Sequence, residues 1–106
     1  MSDTIYTIDD IKRIVAPVAI RHGVDRVYLF GSYARGAATP HSDIDLCVDA
    51  EALRGLFALS GLRADLADAL NKELDLITVN SLKYSNDAQF LENLRKDQVL
   101  IYEMAS

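Results

Sequence analysis

Two periodicities alternate along the chain. Ile8, Ile11, Val15 and Val18 recur at spacings of three, four and three residues, the apolar stripe of an amphipathic helix. Thr7 is placed to cap that helix, and Asp9 and Asp10 lie where the positive end of the helix dipole favours acids. Gly23, after Arg21 and His22, is a stop signal. Pro17 removes one helical hydrogen bond, so a kink near Arg13–Pro17 or an early end is expected. Residues 1–6 read as a loose arm. After Asp25-Arg26 the apolar run Val27–Phe30 is a strand. Tyr33–Gly36 is rich enough in helix formers for a short helix, and Ala37–His41, with Pro40, is a loop. Asp43–Val48 alternates with period two: Ile44, Leu46 and Val48 point one way, Asp43, Asp45, Cys47 and Asp49 the other.

A second helical stripe follows. From Glu51 to about Asn71, leucines fall at 53, 56, 59, 62, 66 and 70. Gly55 and Gly61 weaken this helix and mark Ser60-Gly61 as the place where it would break. Leu74–Val79 is a third strand with one polar outlier, Asp75. Asn80–Ser85 is a loop, from which Ser85 or Asn86 caps a last helix (about Asp87–Lys96) with Phe90, Leu91 and Leu94 facing inward. Val99–Tyr102 is a fourth strand. The order is α-β-α-β-α-β-α-β, which predicts an α/β (α+β) sandwich. About four strands form a small, mainly mixed sheet covered by about four helices.

Composition narrows the function classes. A chain of 106 residues, half hydrophobic and a quarter charged, reads as a single globular domain over residues 1–106. No apolar run approaches the ~20 residues of a membrane span, and the charged start MSDTIYTIDDIKR has no signal-peptide pattern. A cytoplasmic protein with no membrane partner is therefore expected. Cys47 is the only cysteine, which excludes a disulfide framework and a thiolate metal cluster. The net charge of −5 argues against direct nucleic-acid binding, which needs a basic face. A nucleotide is still admissible, because phosphates enter acidic sites together with divalent cations.

The residues best placed for chemistry lie between Val27 and Val48. On one strand face, Asp43 and Asp45 would sit roughly 6.5–7 Å apart along the backbone. Charged ends ~6 Å apart at an effective dielectric of 20 repel by about 3 kcal/mol. A solvated strand face avoids that cost. Asp45 is set in an apolar strand, however, and Asp75 lies between Leu74 and Leu76 in another. Three carboxylates from two strands are better explained by one or two Mg²⁺ ions, which take oxygen ligands. Gly31-Ser32 allows close backbone approach to an anion at the start of a short helix, although Gly-Ser is also an ordinary turn. Arg35 follows, a triphosphate contact or equally a structural ion pair. Lys83 and Tyr84 follow the third strand and are weaker candidates for lining a nucleotide pocket. His41 and His22 read as a surface loop residue and a helix-end residue, and Cys47 as a packing residue.

Gly31-Ser32, ten residues, then Asp43-Ile44-Asp45 resembles the signature of the nucleotidyltransferase superfamily that includes DNA polymerase β. The surrounding LFGSYARGAATPHSDIDLCV is similar to the minimal nucleotidyltransferase (MNT) subgroup, and the likeness extends to the proline-containing entry helix and the Leu-Asp-Leu strand. The resemblance implies the nucleotidyltransferase fold, with Gly31 and Ser32 holding nucleotide phosphates. It further implies that Asp43 and Asp45 ligate Mg²⁺ and that Asp75 completes the metal site and aids deprotonation of the attacking hydroxyl. The implied reaction is attack of a hydroxyl on the α-phosphate of ATP with release of pyrophosphate. The short chain leaves little to enclose a second substrate, so another polypeptide is expected to bring it. The resemblance implies a HEPN-domain ribonuclease toxin in a hetero-oligomer, AMPylated on a tyrosine and so neutralised by this chain as antitoxin. Two alternatives stand beside this: an antitoxin acting by binding alone, and the catalytic subunit of a small-molecule (aminoglycoside-type) nucleotidyltransferase.

Overall fold

The cap expected at Thr7 starts the fold. In the computed structural model, which describes residues 4–51, 55–82 and 86–105, Thr7 Oγ1 accepts from the Asp10 amide at 3.0 Å. Asp10 Oδ2 accepts from the Thr7 amide at 3.0 Å. This reciprocal box satisfies two donors that a helix start leaves open. Helix α1 (Ile8–His22) then runs through Pro17 without ending early. The one bond lost at Pro17 is outweighed by burial of Ile11, Val15, Val18 and Ala19. Gly23 closes the helix in the left-handed region (φ 69°). Tyr6, expected to lie in a loose arm, is tied down: its hydroxyl donates to the Leu70 carbonyl at 2.7 Å.

The remaining elements are β1 (Arg26–Phe30), α2 (Gly31–Ala34), β2 (Ile44–Asp49), α3 (Leu56–Leu70), β3 (Leu74–Thr78), α4 (Val79–Leu82), α5 (Ala88–Asp97) and β4 (Val99–Glu103). The sheet order is β3-β2-β1-β4. β1 is antiparallel to β2 and β4, while β2 and β3 are parallel, so the sheet is mixed as expected. Five helices are seen among the described residues against about four expected. The extra one is α4, where a loop was anticipated. Thr78 Oγ1 accepts from the Ser81 amide at 3.0 Å and the Ser81 hydroxyl donates to the Thr78 carbonyl at 2.8 Å, local bonds that a loop reading does not foresee.

Boundaries shift in three places. α2 begins at Gly31 rather than Tyr33. β2 begins at Ile44, whose amide donates to the Glu73 carbonyl, so Asp43 precedes the strand instead of lying on it. α3 begins at Leu56, not Glu51, and crosses Ser60-Gly61 unbroken. A β-carbon on Gly61 would lie 3.9 Å from the His22 ring, and His22 Nε2 meets Asp65 Oδ2 at 2.6 Å, so the expected break is instead where α1 and α3 come together. Leu53, Lys83, Tyr84 and Ser85 lie outside the described residues.

The core fills one side of the sheet. Ile11 and Val15 of α1 and Leu62, Leu66 and Leu70 of α3 pack with Leu29, Ile44, Leu46 and Val48. The other face carries Tyr28, Phe30 and Cys47, of which Phe30 and Cys47 are buried, and a cavity runs between it and residues of α4 and α5. α5 buries none of its residues completely: Leu91 and Leu94 are half-buried, and Phe90, expected to face inward, is exposed.

Candidate active site

Phe30, the last residue of β1, stands opposite Asp45 of β2. At the next residue the chain turns into α2 with Gly31 at φ 72°, in the left-handed region. A β-carbon on Gly31 would run into Asp45 Oδ2 and come within 3.0 Å of its Cγ. Glycine is therefore required twice, by the backbone angle and by the carboxylate packed against it.

The β2–β3 register places Asp45 directly opposite Asp75. Paired residues on adjacent parallel strands share a face, with backbones about 4.8 Å apart. Asp75 is exposed on the edge strand, Asp43 is exposed just before β2, and Asp45 is half-buried between them. Burial pushes the Asp45 pKa above the ordinary carboxylate value, the charges of Asp75 and then Asp43 push it further, and Arg35 opposes them. The expected convergence is thus electrostatic. Among the described residues, no three His, Cys, Asp or Glu side chains are already gathered to hold an ion. The oxygen-only donors and the mutual repulsion at Asp45 nonetheless suit a hard divalent cation, which would relieve that repulsion.

Ser32 is half-buried in α2, and its carbonyl accepts from the Ala37 amide at 2.8 Å. Arg35 caps α2 and reaches Asp97 Oδ2 of α5 at 3.3 Å, so the structural ion pair exists. Arg35 also lines a cavity of about 250 Å³ with Gly31, Asp45 and Asp75. The opposite wall comes from α5, through Phe90, Asn93 and Asp97. Ser32 and Asp43 are not among its lining residues. The thiol of Cys47 is buried and pushed up to about 11 by that burial and by Asp49, which agrees with a packing role.

Two contributions were not foreseen. The α5 wall was read as core because Phe90 and Leu94 share helical spacing with Leu91. Its polar members, Asn93 and Asp97, are one turn apart, a weak signal by itself. Lys72 is nearly fully buried; its ammonium donates to the Pro40 carbonyl at 3.2 Å and lies 6.0 Å from the centre of the Tyr6 ring. It ties down the loop that leads to Asp43. In the sequence Lys72 looks like any charged residue at a helix-to-strand corner.

Known proteins resemble this chain in sequence and in fold. The family model described as nucleotidyltransferase domain matches residues 11–101. A protein of Methanocaldococcus jannaschii, provisionally named a protein adenylyltransferase, is 41% identical over 75 residues, covering 71% of this chain and 81% of that protein. A solved structure provisionally described as a minimal nucleotidyltransferase is 28% identical with a TM-score of 0.70, over 89% of this chain and 95% of the other. A chain from the structure of a tri-AMPylated Shewanella oneidensis HEPN toxin in complex with MNT antitoxin superposes with a TM-score of 0.65 at 20% identity. That superposition spans 92% of this chain and 74% of the other, a likeness of fold. No helix among the described residues is long and apolar enough to cross a membrane.

Proposed function

This chain belongs to the nucleotidyltransferase domain family, and from that premise we propose that it is a protein adenylyltransferase that moves AMP from ATP onto a tyrosine of a partner HEPN toxin and so neutralises it. The relative named as a protein adenylyltransferase and the fold shared with the AMPylated toxin–antitoxin complex support this reading. The observation that carries it is the placement of Asp45, opposite Asp75 by strand register and packed on Gly31 at the turn from β1 into α2.

In this reading Gly31 admits the phosphates close to the backbone, the Ser32 hydroxyl donates to a phosphate oxygen, and Arg35 offers its guanidinium to the triphosphate. Asp43, Asp45 and Asp75 would hold one or two Mg²⁺ ions, whose chemistry when bound is to neutralise charge on the attacking and leaving oxygens. The tyrosine oxygen attacks the α-phosphorus in line, the bond to the β-phosphate oxygen breaks, and pyrophosphate leaves. Asp75, which is exposed, accepts the tyrosine proton. Asp45, opposite Asp75 on β3 and packed against Gly31, would hold the metal from the middle of the set.

Intact-mass spectrometry of the partner toxin after incubation with this chain, ATP and Mg²⁺ tests the proposal. The expected result is a gain of whole AMP units that Asp45→Asn lowers by about two orders of magnitude or more in rate. Neutralisation of the toxin with no mass gain, or with Asp45→Asn fully active, would refute it and favour binding alone.

A further inference from the structure

We infer that the cavity between α5 and the sheet is the nucleobase subsite, with Phe90 as its stacking face and Asn93 as its edge-reading donor. The inference rests on the adenylyl-transfer reading and deepens it. Its starting point is the loose seating of α5 against the sheet. α5 lies over Phe30 and Ile77 but buries no residue fully, and it leaves Phe90 44% exposed at the rim of the cavity. An aromatic ring at the mouth of a half-apolar slot is poor core packing and good stacking surface.

Size and position agree. Sites for whole drug-sized ligands run to about 300–1,000 Å³. A cavity of about 250 Å³ suits one fused ring system. Gly31, Asp45 and Asp75 line the same cavity, so a base seated against Phe90 directs its ribose and phosphates toward the carboxylates. The polar groups also suit a base. Asn93 Oδ1, as oriented here, accepts from Gln89 Nε2 at 3.2 Å, which leaves the amide N–H groups to donate to a ring nitrogen. Asp97 supplies an acceptor for an exocyclic amine while it steadies Arg35. The acceptor tyrosine fits this slot less well, because its one polar atom must reach the carboxylates and would leave the Asn93 N–H groups unused.

The test measures binding of ATP and of inorganic tripolyphosphate to the full chain in Mg²⁺, by calorimetry, for wild type, Phe90→Ala, Phe90→Trp and Asn93→Leu. Stacking on an aromatic side chain leads to an expected loss of about ten-fold in ATP affinity for Phe90→Ala, with tripolyphosphate unchanged. Phe90→Trp restores ATP binding, and Asn93→Leu weakens ATP by about five-fold, again sparing tripolyphosphate. Equal thermal stability of the variants excludes unfolding as the cause. ATP binding that is indifferent to Phe90 and Asn93 overturns the base subsite while leaving adenylyl transfer standing. So does a Phe90→Ala defect confined to the amount of partner toxin needed for AMP transfer. A wild-type chain that binds neither ligand overturns both readings.

Discussion

Replacing Gly31 by alanine probes the tightest packing in the site. Two costs add. An L-residue in the left-handed region is strained by about 1–2 kcal/mol. The new methyl also meets the Asp45 carboxylate, and overpacking of this kind costs about 1–3 kcal/mol. The total of about 2–5 kcal/mol is a large part of the 5–15 kcal/mol that ordinarily holds a domain together. In a domain of this size it lowers the Tm by roughly 10 °C or more. Urea denaturation of wild type, Gly31→Ala, Asp45→Ala and the double variant separates the two parts. Removing the Asp45 carboxylate clears the space but leaves φ at 72°. Gly31→Ala should therefore cost only about 1–2 kcal/mol in the Asp45→Ala background, with the difference appearing as coupling between the sites. An equal cost in both backgrounds would refute the claim that Asp45 is what excludes a side chain at position 31.

Asp45→Asn should stabilise the ligand-free protein at pH 7, read as a higher Tm in chelator. The folded-state pKa of Asp45 lies above its ordinary value of 3.8. The folded chain therefore holds this proton more tightly than the unfolded one, and the ionised carboxyl lowers stability as pH rises through that window. The gain from Asp45→Asn should accordingly vanish below about pH 3.8; a gain that persists there would contradict the electrostatic cause. Tyr6→Phe removes the 2.7 Å bond to the Leu70 carbonyl and should cost about 1 kcal/mol in a urea melt. Arg35→Ala should weaken ATP and tripolyphosphate about equally in calorimetry, because its guanidinium would address phosphate; a loss confined to ATP would assign Arg35 to the base.

Much of the architecture was legible because it rests on periodicity. The α1 stripe, the alternation Ile44, Leu46, Val48 and the leucines at 59, 62, 66 and 70 each reach the core as their spacing requires. Thr7 and Gly23 were readable because capping is chemistry local to a few residues. Asp45 and Asp75 could be named from motif and resemblance, but their pairing depends on β2 and β3 being parallel and in that register. That register is a property of the sheet and not of either segment. The same limit hid Lys72, whose partner Pro40 lies 32 positions away. It also misassigned Phe90, whose helical spacing says which face it shares and nothing about how closely that face is covered.

The Asp45–Asp75 register also has a consequence for the order of folding. The two residues are thirty positions apart and meet only after α3 has carried the chain across from β2 to β3. β1 and β2 can pair earlier, since antiparallel neighbours need no such crossover and shorter loops close faster. A chain arrested after that first pairing would display Gly31 and Asp45 side by side, with Asp75 not yet beside them. The carboxylate set is thus completed by a late, long-range event, so the appearance of activity in a refolding chain would mark β3 sliding into place beside β2.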